Sequence, residues 1–226
     1  MDAIAADPQV AVPGRQLACR DHELLHPQYA AGYARELGGR LGRPLRSGDA
    51  LVDAFFELNG DRAFAGFKSM PDRHADFAAF VRRPGLQVLT LVRRDLVATA
   101  ASFLLAMTRG TWRRSGGVPA ERLVLREGQL PNLRGNLTYL HRCLRQLAAV
   151  PDAIRLAYED LCDPAFEAPE LDRFFGRPVR LARPLPPTRA GDYVENLDAL
   201  VGVVREHWAA LERSAGAVPG VELRSR

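Results

Sequence analysis

The run Leu86-Gln87-Val88-Leu89-Thr90-Leu91-Val92 constrains the fold more than any other stretch of this 226-residue chain. It is almost continuous in leucine and β-branched residues, the pattern of a strand buried on both faces, as parallel sheets require. Two arginines, Arg93 and Arg94, end the run. Asp95 then opens a helical pattern that reaches Thr108, with Leu96, Ala100, Phe103 and Met107 on one side. Residues 153–158 form a second buried strand candidate, and residues 63–67 a short third one that leads into Lys68. Helical spacing fills residues 28–41, 47–58, 72–81, 132–149, 168–175 and 194–214, with Ser47 placed to cap the second of these. Residues 2–6 read as the end of a further helix. Residues 9–20, 113–131 and 180–192 carry the Pro, Gly and Arg of connecting loops. Strands alternating with helices predict an α/β domain with a largely parallel sheet, and the chain is read as a single domain over residues 1–226.

Composition narrows the function classes. Apolar residues are 47% and charged residues 26%, which excludes wholesale disorder. The net charge of +4 comes from arginine far more than from lysine. Arginine forks suit oxyanion contacts, although a genome that writes Arg for Lys is the better account of the bulk excess. The charge is too small and too dispersed for a nucleic-acid-binding domain. No stretch approaches the ~20 apolar residues of a membrane span, and residues 1–10 lack the basic and apolar regions of a signal peptide. The three cysteines, Cys19, Cys143 and Cys162, fall at no metal-binding spacing and are odd in number. A reducing, cytoplasmic setting follows as the expectation.

Candidate chemistry sits where strands end. In parallel α/β sheets ligands bind off the carboxyl ends of the strands, and the amides of a helix start add to an anion site. Arg94 and Ser102 lie about two helical turns apart and so share a face. A guanidinium and a hydroxyl on one face can hold one phosphate. A surface arginine pair beside a packed serine would give the same spacing. Lys68 ends its strand candidate as either a catalytic cation or an exposed loop lysine. His74 is a base, a ligand contact or a structural histidine. In Ala157-Tyr158-Glu159-Asp160-Leu161 the two acids read more readily as a strand-to-helix cap than as catalytic groups.

Four passages in order resemble the sulfotransferase superfamily, most closely its bacterial trehalose-sulfotransferase-like branch, across about residues 55–215. They are Asn59-Gly60 with Phe67-Lys68; Arg93-Arg94, Ser102 and Gly110-Thr111-Trp112; Tyr158-Glu159-Asp160-Leu161 with Asp163-Pro164; and Thr188-Arg189-Ala190-Gly191. The resemblance implies a three-layer, P-loop-kinase-like fold with a central, mostly parallel sheet. It implies transfer of a sulfuryl group from 3′-phosphoadenosine 5′-phosphosulfate (PAPS) to a hydroxyl of a carbohydrate or small metabolite, without a metal, nucleic acid or membrane, and it leaves a homodimer open. By it Arg94, Ser102 and Arg189 hold the 3′-phosphate, Lys68 stabilises developing charge, and His22 or Glu23 is the base. It also implies a first strand and an Arg-Ser-Gly-type loop that grips the 5′-phosphosulfate. The chain as written has no such loop, and residues 1–10 resemble the helix that follows it. The expectation is therefore a start cut short upstream of Met1. The alternative is a truncated or divergent relative that binds a nucleotide or partner without transfer.

Overall fold

A computed structural model describes residues 10–13, 23–109, 122–163, 165–179 and 190–223. The chain is α/β, 56% helical, with two small parallel sheets. It falls into two compact units, Met1–Leu86 with Ala168–Ala182, and Gln87–Glu167 with Arg183–Arg226.

The first unit contains β1 (Val10–Ala11), α1 (Pro27–Leu41), α2 (Gly48–Glu57), β2 (Phe64–Ala65), α3 (Phe77–Phe80) and α7 (Pro169–Phe175). Helix α1 starts with Pro27 behind a His26 cap and stops at Gly42, whose φ of 64° is left-handed. Gly38 is required there by space: a Cβ would lie 2.7 Å from the Arg43 carbonyl oxygen. Ser47 caps α2 by accepting from the Ala50 N–H at 3.1 Å. The helix then buries Leu51, Val52, Ala54 and Phe55, and packs against α1, which buries Tyr33 and Leu37. Strands β1 and β2 pair in parallel, Val10 with Phe64 and Ala11 with Ala65. Phe64 is covered by Phe174 and Phe175 of α7.

Residues 72–81 do not form the single helix that their spacing suggests. Pro71–Arg73 make a 3-10 turn and His74 is extended, with φ −107° and ψ 134°. Asp76 then starts α3 afresh by accepting from the Ala79 N–H at 2.9 Å. An aspartate that can bond the backbone locally competes with helix continuation.

The second unit holds β3 (Leu89–Val92), α4 (Leu96–Arg109), α5 (Leu130–Ala148), β4 (Ile154–Ala157), α6 (Tyr158–Leu161) and α8 (Leu197–Ala215). Its core lies between three helices. Leu96, Ala100 and Leu104 of α4 meet Leu133, Leu137 and Leu144 of α5 and Leu200, Val204 and Trp208 of α8. Strands β3 and β4 pair in parallel over four positions, from Leu89 with Ile154 to Val92 with Ala157. Among the described residues β3 has no second strand neighbour. Its apolar run is accordingly not buried on both faces: Thr90 is 3% exposed and Leu91 54%. Residues 86–88 precede the ladder, and the Leu86 N–H is turned back to the Arg83 carbonyl. No described helix is long and apolar enough to cross a membrane.

The Ser47 cap is exposed and separable from the core. Ser47→Ala should lower stability by about 1 kcal/mol in urea denaturation, with an unchanged denaturant slope.

Candidate functional site

The ladder of β3 and β4 decides the geometry at their carboxyl ends. Each β3 residue faces the residue 65 positions later. Continued past Val92 and Ala157, that register sets Arg93 beside Tyr158 and Arg94 beside Glu159. The side chains follow it. The Arg93 guanidinium lies over the Tyr158 ring, 5.2 Å from its centroid. The Glu159 carboxylate accepts the N–H groups of Arg94 and Asp95, each at 3.0 Å. The Arg94 guanidinium bonds Asp160 and lies 3.8 Å from Glu159.

The opposite side of the turn is held by a segment near the C-terminus. Glu222 donates its N–H to the Arg94 carbonyl at 2.8 Å and accepts the Leu96 N–H at 3.0 Å. Asp95 caps α4 by accepting from the Ala98 N–H at 2.8 Å. The N–H groups of residues 94–96 and the Arg94 carbonyl are therefore bonded by residues far away in sequence.

Ser102 sits two turns into α4, and the guanidinium at its hydroxyl belongs to Arg93. Arg93 Nη1 donates to Ser102 Oγ at 3.0 Å, and that hydroxyl donates to the Ala98 carbonyl at 2.9 Å. Arg94, which the spacing pairs with Ser102, is instead engaged by Asp160 and Glu159. The cluster carries two guanidiniums and three carboxyl groups, those of Asp95, Glu159 and Asp160. Burial pushes the Glu159 carboxyl up, but the N–H groups of Asp95 and Arg94 and the Arg94 charge outweigh it and hold the group below its ordinary value. Burial raises the Asp95 carboxyl against the opposing effects of the Ala98 N–H and Arg93.

In the other unit, Glu23 and Lys68 lie opposite each other in an isolated parallel bridge, and their side chains form an ion pair. The bridge lies just beyond the β1–β2 ladder, which the Gly66 N–H extends by donating to Ala11 at 2.9 Å. Lys68 itself lies three residues past the end of β2, in that bridge. Its side chain is 52% exposed, so the pair contributes little to folding. Lys68 is the only lysine in the chain. His74, nearby in sequence, bonds the Ser69 hydroxyl at 3.0 Å and stacks on Phe80 at 3.9 Å. Burial lowers its pKa, which favours a neutral, structural ring. His22 and Arg189 lie outside the described residues.

No family model, curated protein or solved structure matches the chain.

Of the expected site residues, the structure brings Glu23 to Lys68 and places Ser102 with Arg93. The sequence signals that would have pointed to Arg93 and Glu159 were the two strand ends, Leu91-Val92-Arg93-Arg94 and Leu156-Ala157-Tyr158-Glu159, set in register. The signal for Lys68 was its solitude among the arginines. Among the described residues no group of three or more His, Cys, Asp or Glu side chains could hold a metal ion.

Glu159 gives the site an acid dependence whose sign is fixed. A carboxyl with a depressed folded-state pKa contributes stability above its unfolded pKa and loses it as pH falls through the folded value. Asp95, raised by burial, acts oppositely. Glu159→Gln leaves one turn N–H without its acceptor and should cost about 1–3 kcal/mol at neutral pH. In denaturation series it should also flatten the acid loss that the parent protein shows below the ordinary carboxyl value of 4.5.

Proposed function

We propose that the chain is a sulfotransferase that moves a sulfuryl group from PAPS to a hydroxyl of a carbohydrate or small metabolite, on the three-layer, P-loop-kinase-like fold of that superfamily. The observation that carries this reading is the Lys68–Glu23 pair. In a chain that otherwise writes every side-chain cation except histidine as arginine, one compact ammonium is present, in a parallel bridge just past β2 and against a carboxylate.

The chemistry needs those two groups. A bond forms from the acceptor oxygen to sulfur while the bond from sulfur to the bridging phosphate oxygen breaks. Negative charge grows on that bridging oxygen, and the Lys68 ammonium stabilises it. Glu23 takes the proton that the acceptor hydroxyl loses. The products are the sulfate ester and adenosine 3′,5′-bisphosphate. Within the second unit we read Arg93 and Ser102 as the phosphate-binding pair, with the Ser102 hydroxyl turning from the Ala98 carbonyl to donate to a phosphate oxygen. The resemblance also expects Arg94 and Arg189 at that phosphate. His22 is the other expected base.

A second reading is nucleotide or partner binding without transfer, and a separate observation favours its partner-binding form. The amides at the start of α4 already hold the Glu159 carboxylate, and the cluster's three carboxyl groups outnumber its two guanidiniums. Such a cluster offers a dianionic phosphate less net attraction than an open arginine site.

Release of adenosine 3′,5′-bisphosphate from PAPS, followed with a panel of hydroxyl acceptors, separates the readings. Acceptor-dependent release is expected. Lys68→Arg, which keeps the charge and the melting temperature, should slow it by about 10²-fold. Nucleotide binding without release would favour the second reading, and absence of both would overturn both.

A further inference from the structure

We propose that Glu159 is the positioning residue of the Arg93–Ser102 pair: by holding the Arg94 and Asp95 N–H groups it fixes the turn from which Arg93 reaches Ser102. The inference rests on reading that pair as the phosphate-binding element, and it assigns a role to a residue that sequence pattern alone marks only as a helix cap.

Arg93 and Arg94 are consecutive and alike in charge, yet the Ser102 hydroxyl on α4 meets the Arg93 guanidinium. Spacing alone gives the place to Arg94. What reverses the choice is α6, whose first three residues each take a different part of the β3–α4 turn. Tyr158 offers its ring face to the Arg93 guanidinium. Asp160 binds the Arg94 guanidinium and draws it from Ser102. Glu159, between them, holds the backbone, with both carboxylate oxygens in use at 3.0 Å.

A carboxylate suits that task better than any neutral side chain. It offers two acceptor oxygens and no donor, so it serves two adjacent N–H groups at once. It also opposes the partial positive charge at the start of α4. The Glu222 backbone also holds the turn, through the Arg94 carbonyl and the Leu96 N–H. Without Glu159, the N–H groups of Arg94 and Asp95 lose their acceptor, and the peptide next to Arg93 is free to rotate.

Positioning and plain electrostatics make opposite predictions. Removing a negative charge near a phosphate site should tighten phosphate binding by Coulomb attraction alone. Removing a positioning group should weaken it. Glu159→Gln removes the charge. Glu159→Asp keeps the charge but shortens the reach, and guards against a folding failure in the first variant.

The test measures calorimetric affinity for adenosine 3′,5′-bisphosphate, and the Arg93 guanidinium NMR signal identified by its loss in Arg93→Ala. Both Glu159 variants should bind the nucleotide about tenfold more weakly or worse, and their Arg93 guanidinium protons should exchange faster than in the parent. Affinity equal to or tighter than the parent's in both variants would overturn the proposal. If the parent binds no nucleotide, the phosphate reading falls. The NMR result then decides alone: faster Arg93 exchange in the variants supports positioning, and unchanged exchange overturns it.

Discussion

The arrangement at the ends of β3 and β4 depends on a four-position parallel register. Because the strands are parallel, both carboxyl ends point the same way. Because the register pairs Val92 with Ala157, the next residues meet as Arg93 with Tyr158 and Arg94 with Glu159. A slip of one residue would exchange the faces of the strand. The helix α4 that carries Ser102 is held in turn by a core shared with α5 and α8, so one end of the contact is fixed by packing and the other by the ladder.

Charge is organised differently in the two units. At the β3–α4 turn, guanidiniums and carboxyl groups neutralise one another, and backbone N–H groups are part of the network. Its cost is desolvation, visible in the raised Asp95 carboxyl, and its return is a turn with one defined geometry. In the Lys68–Glu23 pair the ammonium is half-exposed. An exposed ion pair adds little stability, which is why its placement is read as chemistry rather than as architecture.

The elements whose ends are set by local chemistry were legible in the sequence. Pro27 and Gly42 bound α1, Ser47 starts α2, and the α5, α7 and α8 patterns correspond to helices within two or three residues of their expected ends. The α/β class and the parallel sense of the strands were legible as well. Less legible was everything that depends on a distant partner. The apolar run of β3 suggests two covered faces, yet Leu91 is exposed, because coverage is a property of neighbours. The helical spacing of residues 72–81 is broken by Asp76, whose side chain bonds the backbone in competition with it. At the site, spacing places Arg94 and Ser102 on one face, but only the β3–β4 register reveals that Asp160 claims Arg94 first.

The most direct measurement is calorimetric titration of adenosine 3′,5′-bisphosphate into the parent protein, Arg93→Ala and Arg94→Ala. If the register assigns the phosphate-binding guanidinium as described, Arg93→Ala loses binding and Arg94→Ala retains most of it. Loss in Arg94→Ala with binding preserved in Arg93→Ala, or equal affinity in all three proteins, would contradict the account.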